Sequence, residues 1–241
     1  MPSPTIVDSS TAGVNSSSTI DATVPGGASS GNLLIVVLSI RASHSVTGVP
    51  SGWTLRESRD TGAGNAPYIL IYTHDYAGSG SPWTWTISSS TGGNSLSCLA
   101  IDGWIGETDY AYADSDTGTN LSIVCPTATA NGSSDLSLRI VGWKADGSEA
   151  GTVSWPTSTE ETDIQFPTSG GSTVRLGNSV AYEEAVSGAV GTETPTITIT
   201  GGDSALTDGG YAGTMILEGL LSEDNDAVFR GVGRGVYVGV G

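Results

Sequence analysis

The sequence predicts an all-β protein, an antiparallel β-sandwich of the jelly-roll type, on three observations. Short segments rich in β-branched and aromatic residues recur between clusters of Gly, Ser, Asn, Asp and Pro. Residues 196–200 alternate Thr and Ile strictly, as a half-buried strand does, whereas residues 33–40 are apolar on both faces, as a covered central strand would be. The best helical candidate, residues 179–186, spans only about two turns and has no sustained apolar stripe.

The same signals place each strand in chain order. In residues 83–88 the two-residue period puts Trp83, Trp85 and Ile87 on one face, which we expect to belong to the core. Strands are predicted near residues 5–8, 19–24, 32–41, 53–59, 67–75, 83–88, 95–103, 121–125, 135–142, 151–155, 162–166, 173–186, 195–200 and 211–218.

The length of 241 residues allows one all-β domain or two small ones, and we favour one. The predicted organisation is an N-terminal segment at 1–18, a sandwich domain at 19–221 and a C-terminal arm at 222–241. A split near Pro126 or Pro167 stays open, because linkers and sandwich loops share the same composition. Cys98 and Cys125 have no neighbours at zinc spacing, so we expect two buried thiols, with a single bridge as the alternative.

The arm has a distinct pattern from Arg230 onward, with Gly at odd positions and mostly Val at even ones. This pattern gives one apolar edge and one bare backbone face, which favours a strand docked against another sheet edge or subunit. A frayed tail is the alternative. The predicted assembly residues of the arm are Val232, Val236, Tyr237, Val238 and Val240.

The charge balance limits the possible partners. Eight Lys plus Arg against 25 Asp plus Glu give a net charge of −17, and Lys144 is the only lysine. Nucleic acid and anionic membranes are therefore excluded as expected partners, because the phosphate-neutralising cations are missing. The longest apolar run, residues 33–38, is too short for a membrane span, and residues 1–4 lack the features of a secretion signal.

The chain has no set of residues with the spacing of a known catalytic motif, and we expect a non-enzymatic protein without a cofactor. The Asp-Thr-Gly tripeptides that begin at Asp60 and Asp116 echo the paired loops of aspartic proteases, but they follow polar residues and are ordinary turn sequence. Ser204 resembles a hydrolase nucleophile, yet no histidine follows it in the chain.

Two binding hypotheses remain in one polar stretch. Asp114, Asp116 and Asn120 offer oxygens around a glycine turn and could hold calcium, although no Glu follows at EF-hand spacing and a solvated turn is the simpler interpretation. Tyr110 and Tyr112 are the aromatic pair most expected to be exposed, and they are candidate contacts for a glycan.

Several core and turn segments resemble a β-sandwich domain that recurs in virion proteins of tailed bacteriophages and in some bacterial surface proteins. The segments are residues 31–37, 50–55, 68–72, 83–85 and 213–217. The resemblance implies a virion structural protein: a capsid decoration or cement protein, a head-fibre protein or a tail component. We therefore expect a homo-oligomer, with a trimer as our guess, that contacts major capsid or tail proteins and is located in the virion after assembly in the bacterial cytoplasm. The alternative is a glycan-binding module for host attachment or on a bacterial surface.

Overall fold

A computed structural model describes residues 3–15, 17–60, 67–90, 92–115, 123–146, 150–165, 174–200 and 210–219. Within these ranges the chain forms fifteen strands and no helix, which confirms the predicted all-β sandwich. The strands of the first half are β1 (Thr5–Asn15), β2 (Thr19–Ala22), β3 (Leu33–Arg41), β4 (Val46–Gly48), β5 (Thr54–Asp60), β6 (Pro67–Asp75), β7 (Trp83–Ile87) and β8 (Gly93–Asp102). Those of the second half are β9 (Trp104–Ser115), β10 (Ala128–Asp146), β11 (Ala150–Ser154), β12 (Thr159–Gln165), β13 (Val174–Val190), β14 (Thr196–Thr200) and β15 (Gly210–Gly219).

These strands form two large sheets and two small ones. The N-sheet has the order β1-β8-β3-β6-β5, and the C-sheet has the order β12-β13-β10-β15-β9. A three-stranded sheet, β2-β7-β4, accompanies the first, and a two-stranded sheet, β11-β14, accompanies the second. Every pairing between these strands is antiparallel.

The two halves of the chain share one strand order. We number the five strands of each large sheet along the chain. The N-sheet, read from β1, and the C-sheet, read from β9, then both have the order first, fifth, second, fourth, third. The eight strands of the first half are divided five to three between the sheets β1-β8-β3-β6-β5 and β2-β7-β4. Gly103, which has a φ of +73°, is the single residue between the halves. The strands before and after Gly103 lie in separate sheets, and the two large sheets share one apolar core. The expected sandwich domain at 19–221 and arm at 222–241 stay a prediction.

The faces of the sheets account for the apolar patterns in the sequence. On β3, Leu34, Val36 and Leu38 pack towards the three-stranded sheet, while the alternate residues Leu33, Ile35 and Val37 pack between the two large sheets. The C-sheet is covered on its outer face by a third cluster that includes residues of β14 and β11. The prediction that residues 33–40, which form most of β3, are covered on both sides is therefore confirmed.

Aromatic side chains fill the core beneath the three-stranded sheet. Trp83, Trp85 and Ile87 alternate with exposed threonines and are buried, as the period of two predicts. Trp53 meets Trp83 and Trp85 edge-on, with ring centroids 5.4 and 5.0 Å apart, and stacks on His74 at 5.1 Å. These tryptophans therefore fill the core and do not form an exposed platform.

Some predicted elements differ from the structure. Residues 5–15, which the sequence analysis sets apart from the sandwich, form the edge strand β1 and pair with β8. The strands β4 and β9 are not among the predicted elements, and within the described part of 121–125 only Cys125 pairs, in an isolated bridge with Glu193. Cys98 and Cys125 are free and fully buried, which confirms the expectation of two buried thiols.

A β-bulge interrupts each of the four edge strands of the large sheets. The pairing register shifts in β1, in β5, in β12 and twice in β9. Such bulges hinder uncontrolled pairing between the sheet edges of different molecules. The residues passed over by the shifts are Val7, Arg56, Glu161, Ile105 and Thr108.

Candidate functional site

The two large sheets stack with their strand orders reversed, so each long side of the sandwich combines the first strand of one sheet with the third strand of the other. The two sides nevertheless differ in how closely these strands pack. On one side β1 packs directly against β12. On the other side β5 and β9 approach each other through long side chains, with the Arg59 guanidinium 3.2 Å from the centre of the Tyr112 ring. We call this second region, Thr54–Asp60 together with Trp104–Ser115, the β5–β9 side.

The β5–β9 side exposes apolar groups. Leu55, Ile105 and Tyr112 are three of the six large apolar side chains that are exposed in the described part of the chain. Tyr112 is 42% exposed, while Tyr110 is half-buried and its ring centre lies 6.4 Å from that of Tyr112. The expected exposure of the tyrosine pair therefore holds for Tyr112 and only partly for Tyr110.

Two phenol groups lie below this surface. The hydroxyls of Tyr110 and Tyr211 are buried without a hydrogen-bond partner in the structure. A Cβ atom placed on Gly213 would lie 2.8 Å from the Tyr110 hydroxyl and 2.5 Å from that of Tyr211, so glycine leaves the space that both rings use. Burial, followed by the charge of Glu57, raises the pKa of Tyr211.

Acidic groups accompany the aromatic rings. Burial raises the pKa of Glu107, the nearby Arg56 opposes this shift, and Glu57 and Asp109 add to it. The carboxylate of Asp109 accepts hydrogen bonds from the backbone N–H of Tyr110 at 2.9 Å and of Thr129 at 2.8 Å. This carboxylate, directly after the bulge at Thr108, therefore links β9 to the start of β10.

The same anchor recurs in the first half. Asp8, which also follows a bulge in the first strand of its sheet, accepts hydrogen bonds from the N–H groups of Ser9 at 2.8 Å and Gly27 at 2.9 Å. These backbone hydrogen bonds lower the pKa of Asp8. The repeated contact supports the equivalence of β1 and β9 that the strand order indicates.

Of the predicted calcium residues, only the backbone of Asp114 lies within the described structure. Asp114 lies near the end of β9, and Asp116 and Asn120 lie outside the described residues. Among the residues that the structure covers, no group of three His, Cys, Asp or Glu side chains is placed to hold a metal ion. The predicted assembly residues of the arm also lie outside the described ranges.

A buried ion pair on the outer face of the C-sheet was not predicted. Arg139, only 2% exposed, donates hydrogen bonds to Thr214 Oγ1 at 2.7 Å and to the carbonyls of Pro126 and Gly191. Its guanidinium also lies 3.8 Å from a carboxylate oxygen of Glu193.

Glu193 is held by further donors. Its carboxylate accepts hydrogen bonds from the N–H groups of Thr157 and Ser158 and from the Ser158 hydroxyl. Burial raises the pKa of Glu193, but these hydrogen bonds outweigh it and hold the pKa below its usual value. The arrangement ties β10 to the segments that flank β12 and β14 and is structural, because the guanidinium and the carboxylate are both held by groups of the same chain.

Comparison with known proteins adds no relative: no family model, no curated protein and no solved structure matches this chain. In the part of the chain that the structure covers, no helix is long and apolar enough to cross a membrane.

Proposed function

We propose that this protein is a non-enzymatic virion structural protein, a capsid decoration or cement protein, a head-fibre protein or a tail component. It assembles with copies of itself and with other virion proteins, such as major capsid or tail proteins. The observation that carries the proposal is the β5–β9 side, where two edge strands expose Leu55, Ile105 and Tyr112 beside charged groups. Exposed apolar groups rimmed by polar residues are typical of protein contact surfaces.

The layered fold directs association to the sheet edges. Both faces of β3 and of the neighbouring strands are used inside the molecule, so a partner gains most by pairing with an edge strand. The Gly/Val pattern of residues 230–241 suits this kind of addition. Binding then rests on backbone hydrogen bonds and buried area, and it requires no chemical step.

The net charge of −17 supports a position on the outer surface of a particle. An acidic protein would be repelled by the phosphates of packaged DNA in the interior. The same charge keeps free copies soluble at high concentration before assembly.

The test compares the solution mass of the full chain with that of a chain ending at Leu221, measured by light scattering. We expect a stable oligomer that falls to the monomer on truncation. If the full chain is a monomer, as the truncated chain is, at every concentration measured, self-assembly through the arm is contradicted.

A glycan-binding role in host attachment is the second candidate, because Tyr112 exposes its ring beside Arg59 and aromatic rings stack on sugars. Glycan-array screening followed by titration tests this role. We expect Tyr112→Ala to weaken a true glycan interaction at least tenfold, while the control Val7→Ala, on the opposite side of the sandwich, leaves it unchanged. Equal loss in both variants would contradict a site at Tyr112.

A further inference from the structure

We propose that the edge of β9 is the acceptor for the arm, residues 230–241, of a second copy of this chain, which adds there as an antiparallel strand. This inference rests on the proposed function, because it names the surface on which the arm acts. It follows from the regularity of the edges, their charge, their exposed apolar groups and the reach of the chain.

Regular backbone is the first requirement for strand addition. Outside their bulges, β5 and β12 keep regular pairing over four residues each, Glu57–Asp60 and Thr162–Gln165. The corresponding runs are eight residues in β1, Asp8–Asn15, and seven in β9, Asp109–Ser115. Only β1 and β9 therefore offer, among these four edge strands, enough regular edge for a ladder of several hydrogen bonds.

Charge separates these two edges. The arm carries two cations, Arg230 and Arg234, and no acid. β1 has one acid, Asp8, whereas β9 has three acids and no Lys or Arg. The carboxylates of Asp8 and Asp109 are each already occupied by two backbone N–H groups, so β9 keeps two further acids and β1 keeps none. Each exposed charge pair contributes little, typically up to about 1 kcal/mol, but the sum directs the arm to the acidic edge. The three acids are Glu107, Asp109 and Asp114.

Exposed apolar area gives the arm a place to bury its valines. β9 exposes Tyr112 within its regular run and Ile105 at a bulge, while the exposed large apolar residue of β1 is Val7, also at a bulge. Neighbouring strands in a sheet bring side chains of the same face together at about 4.5–5.5 Å. A valine of the arm opposite Tyr112 would therefore cover the phenol ring.

The direction of the added strand identifies the second copy. All described pairings are antiparallel, and antiparallel pairing is the more stable kind. Gly219, at the end of β15, lies opposite Trp104 at the start of β9, so an antiparallel arm must begin at the other end, near Ser115. That distance is about 36 Å along the strand, roughly the full reach of the ten residues 220–229 when completely extended. An arm from a neighbouring copy has no such constraint.

Cysteine trapping between two different chains tests the contact. Bait chains carry Tyr112→Cys or Ala113→Cys, which lie on opposite faces of β9, and prey chains carry one of Val232→Cys, Val236→Cys, Val238→Cys or Val240→Cys. The matched control bait is Val7→Cys, which is 41% exposed on β1, close to the 42% of Tyr112. The native thiols are buried and burial raises their pKa to about 12, so they give little background at pH 8.

Mixing bait and prey chains under mild oxidation should give a mixed disulfide. We expect at least one prey to react with a β9 bait at least tenfold faster than with the Val7→Cys chain. Equal rates for the β9 baits and the Val7→Cys control, or the absence of a mixed disulfide, would overturn the inference. A further chain carries a bait and a prey cysteine together, and a disulfide that forms only within this chain would also overturn it.

The truncated chain separates this failure from that of the proposed function. If truncation at Leu221 dissociates the oligomer into monomers but no disulfide forms with a β9 bait, the arm acts on another surface and only this inference fails. If truncation changes nothing and no disulfide forms, both the acceptor and the assembly role of the arm are wrong.

Discussion

Replacing Arg139 by Met should destabilise the fold strongly, because it leaves the carboxylate of Glu193 buried without its cation. Breaking a buried ion pair by removing one partner typically costs about 3–5 kcal/mol. Glu193 keeps its hydrogen bonds from Thr157 and Ser158, so we expect the lower end, about 3 kcal/mol. For a chain of this size this corresponds to a fall of roughly 6–12 °C in Tm.

Urea unfolding followed by tryptophan fluorescence measures this loss. With a slope near 3 kcal/mol/M, the midpoint should fall by about 1 M. The control is Glu183→Gln, because Glu183 is 35% exposed and lies 3.9 Å from the same guanidinium, and it should cost less than about 0.5 kcal/mol. A loss below about 1 kcal/mol in Arg139→Met, or an equal loss in both variants, would show that the buried pair does not hold this face together.

Three further predictions concern burial. The two native thiols, both fully buried with a pKa of about 12, should not react with a thiol reagent at pH 8 in the folded chain, and both should react in denaturant; reaction of either when folded would contradict this. Gly177→Ala would press its Cβ into the buried ring of Trp143 and should cost about 1–3 kcal/mol in urea unfolding, against under about 0.5 kcal/mol for Gly191→Ala, which has open space. Burial raises the pKa of Asp163 to about 6 from 3.8, so the folded chain binds this proton more tightly: the stabilisation is complete below about pH 4 and is lost as the pH rises through 6. Asp163→Asn should therefore show a smaller fall in urea midpoint between pH 4 and pH 7 than the parent chain, and an equal fall would be inconsistent with this assignment.

Strands with a clear apolar pattern were predictable, and the edge strands β5 and β12 were predicted near 53–59 and 162–166, whereas the edge strand β9 was not predicted. Trp83, Trp85 and Ile87 identify their strand because one face is buried against the core. β9 carries Glu107 and Asp109 between its large apolar residues, because an edge strand meets solvent, and so it lacks the apolar alternation of a buried strand.

Long-range features lie beyond what spacing can predict. Arg139 and Glu193 are 54 positions apart, and the pairing of β10 with β13 and the bridge between Cys125 and Glu193 bring their segments together. The shared strand order of the two halves also leaves little trace in the sequence, because turn and core residues can vary as long as the alternation of buried and exposed positions is kept. An aspartate directly after a bulge in the first strand of each half, Asp8 and Asp109, is a local signal that the two halves have in common.

The single crossing at Gly103 affects how the chain can fold during synthesis. All strands of the first half precede this residue, so its two sheets can form while the 138 residues 104–241 are still being translated, which takes roughly 7–28 s at about 5–20 residues per second. During that interval Leu33, Ile35 and Val37 face water instead of the C-sheet. Two nascent chains on one messenger could then pair through this apolar face, so slow translation beyond residue 103 should increase misassembled product and rapid translation should suppress it.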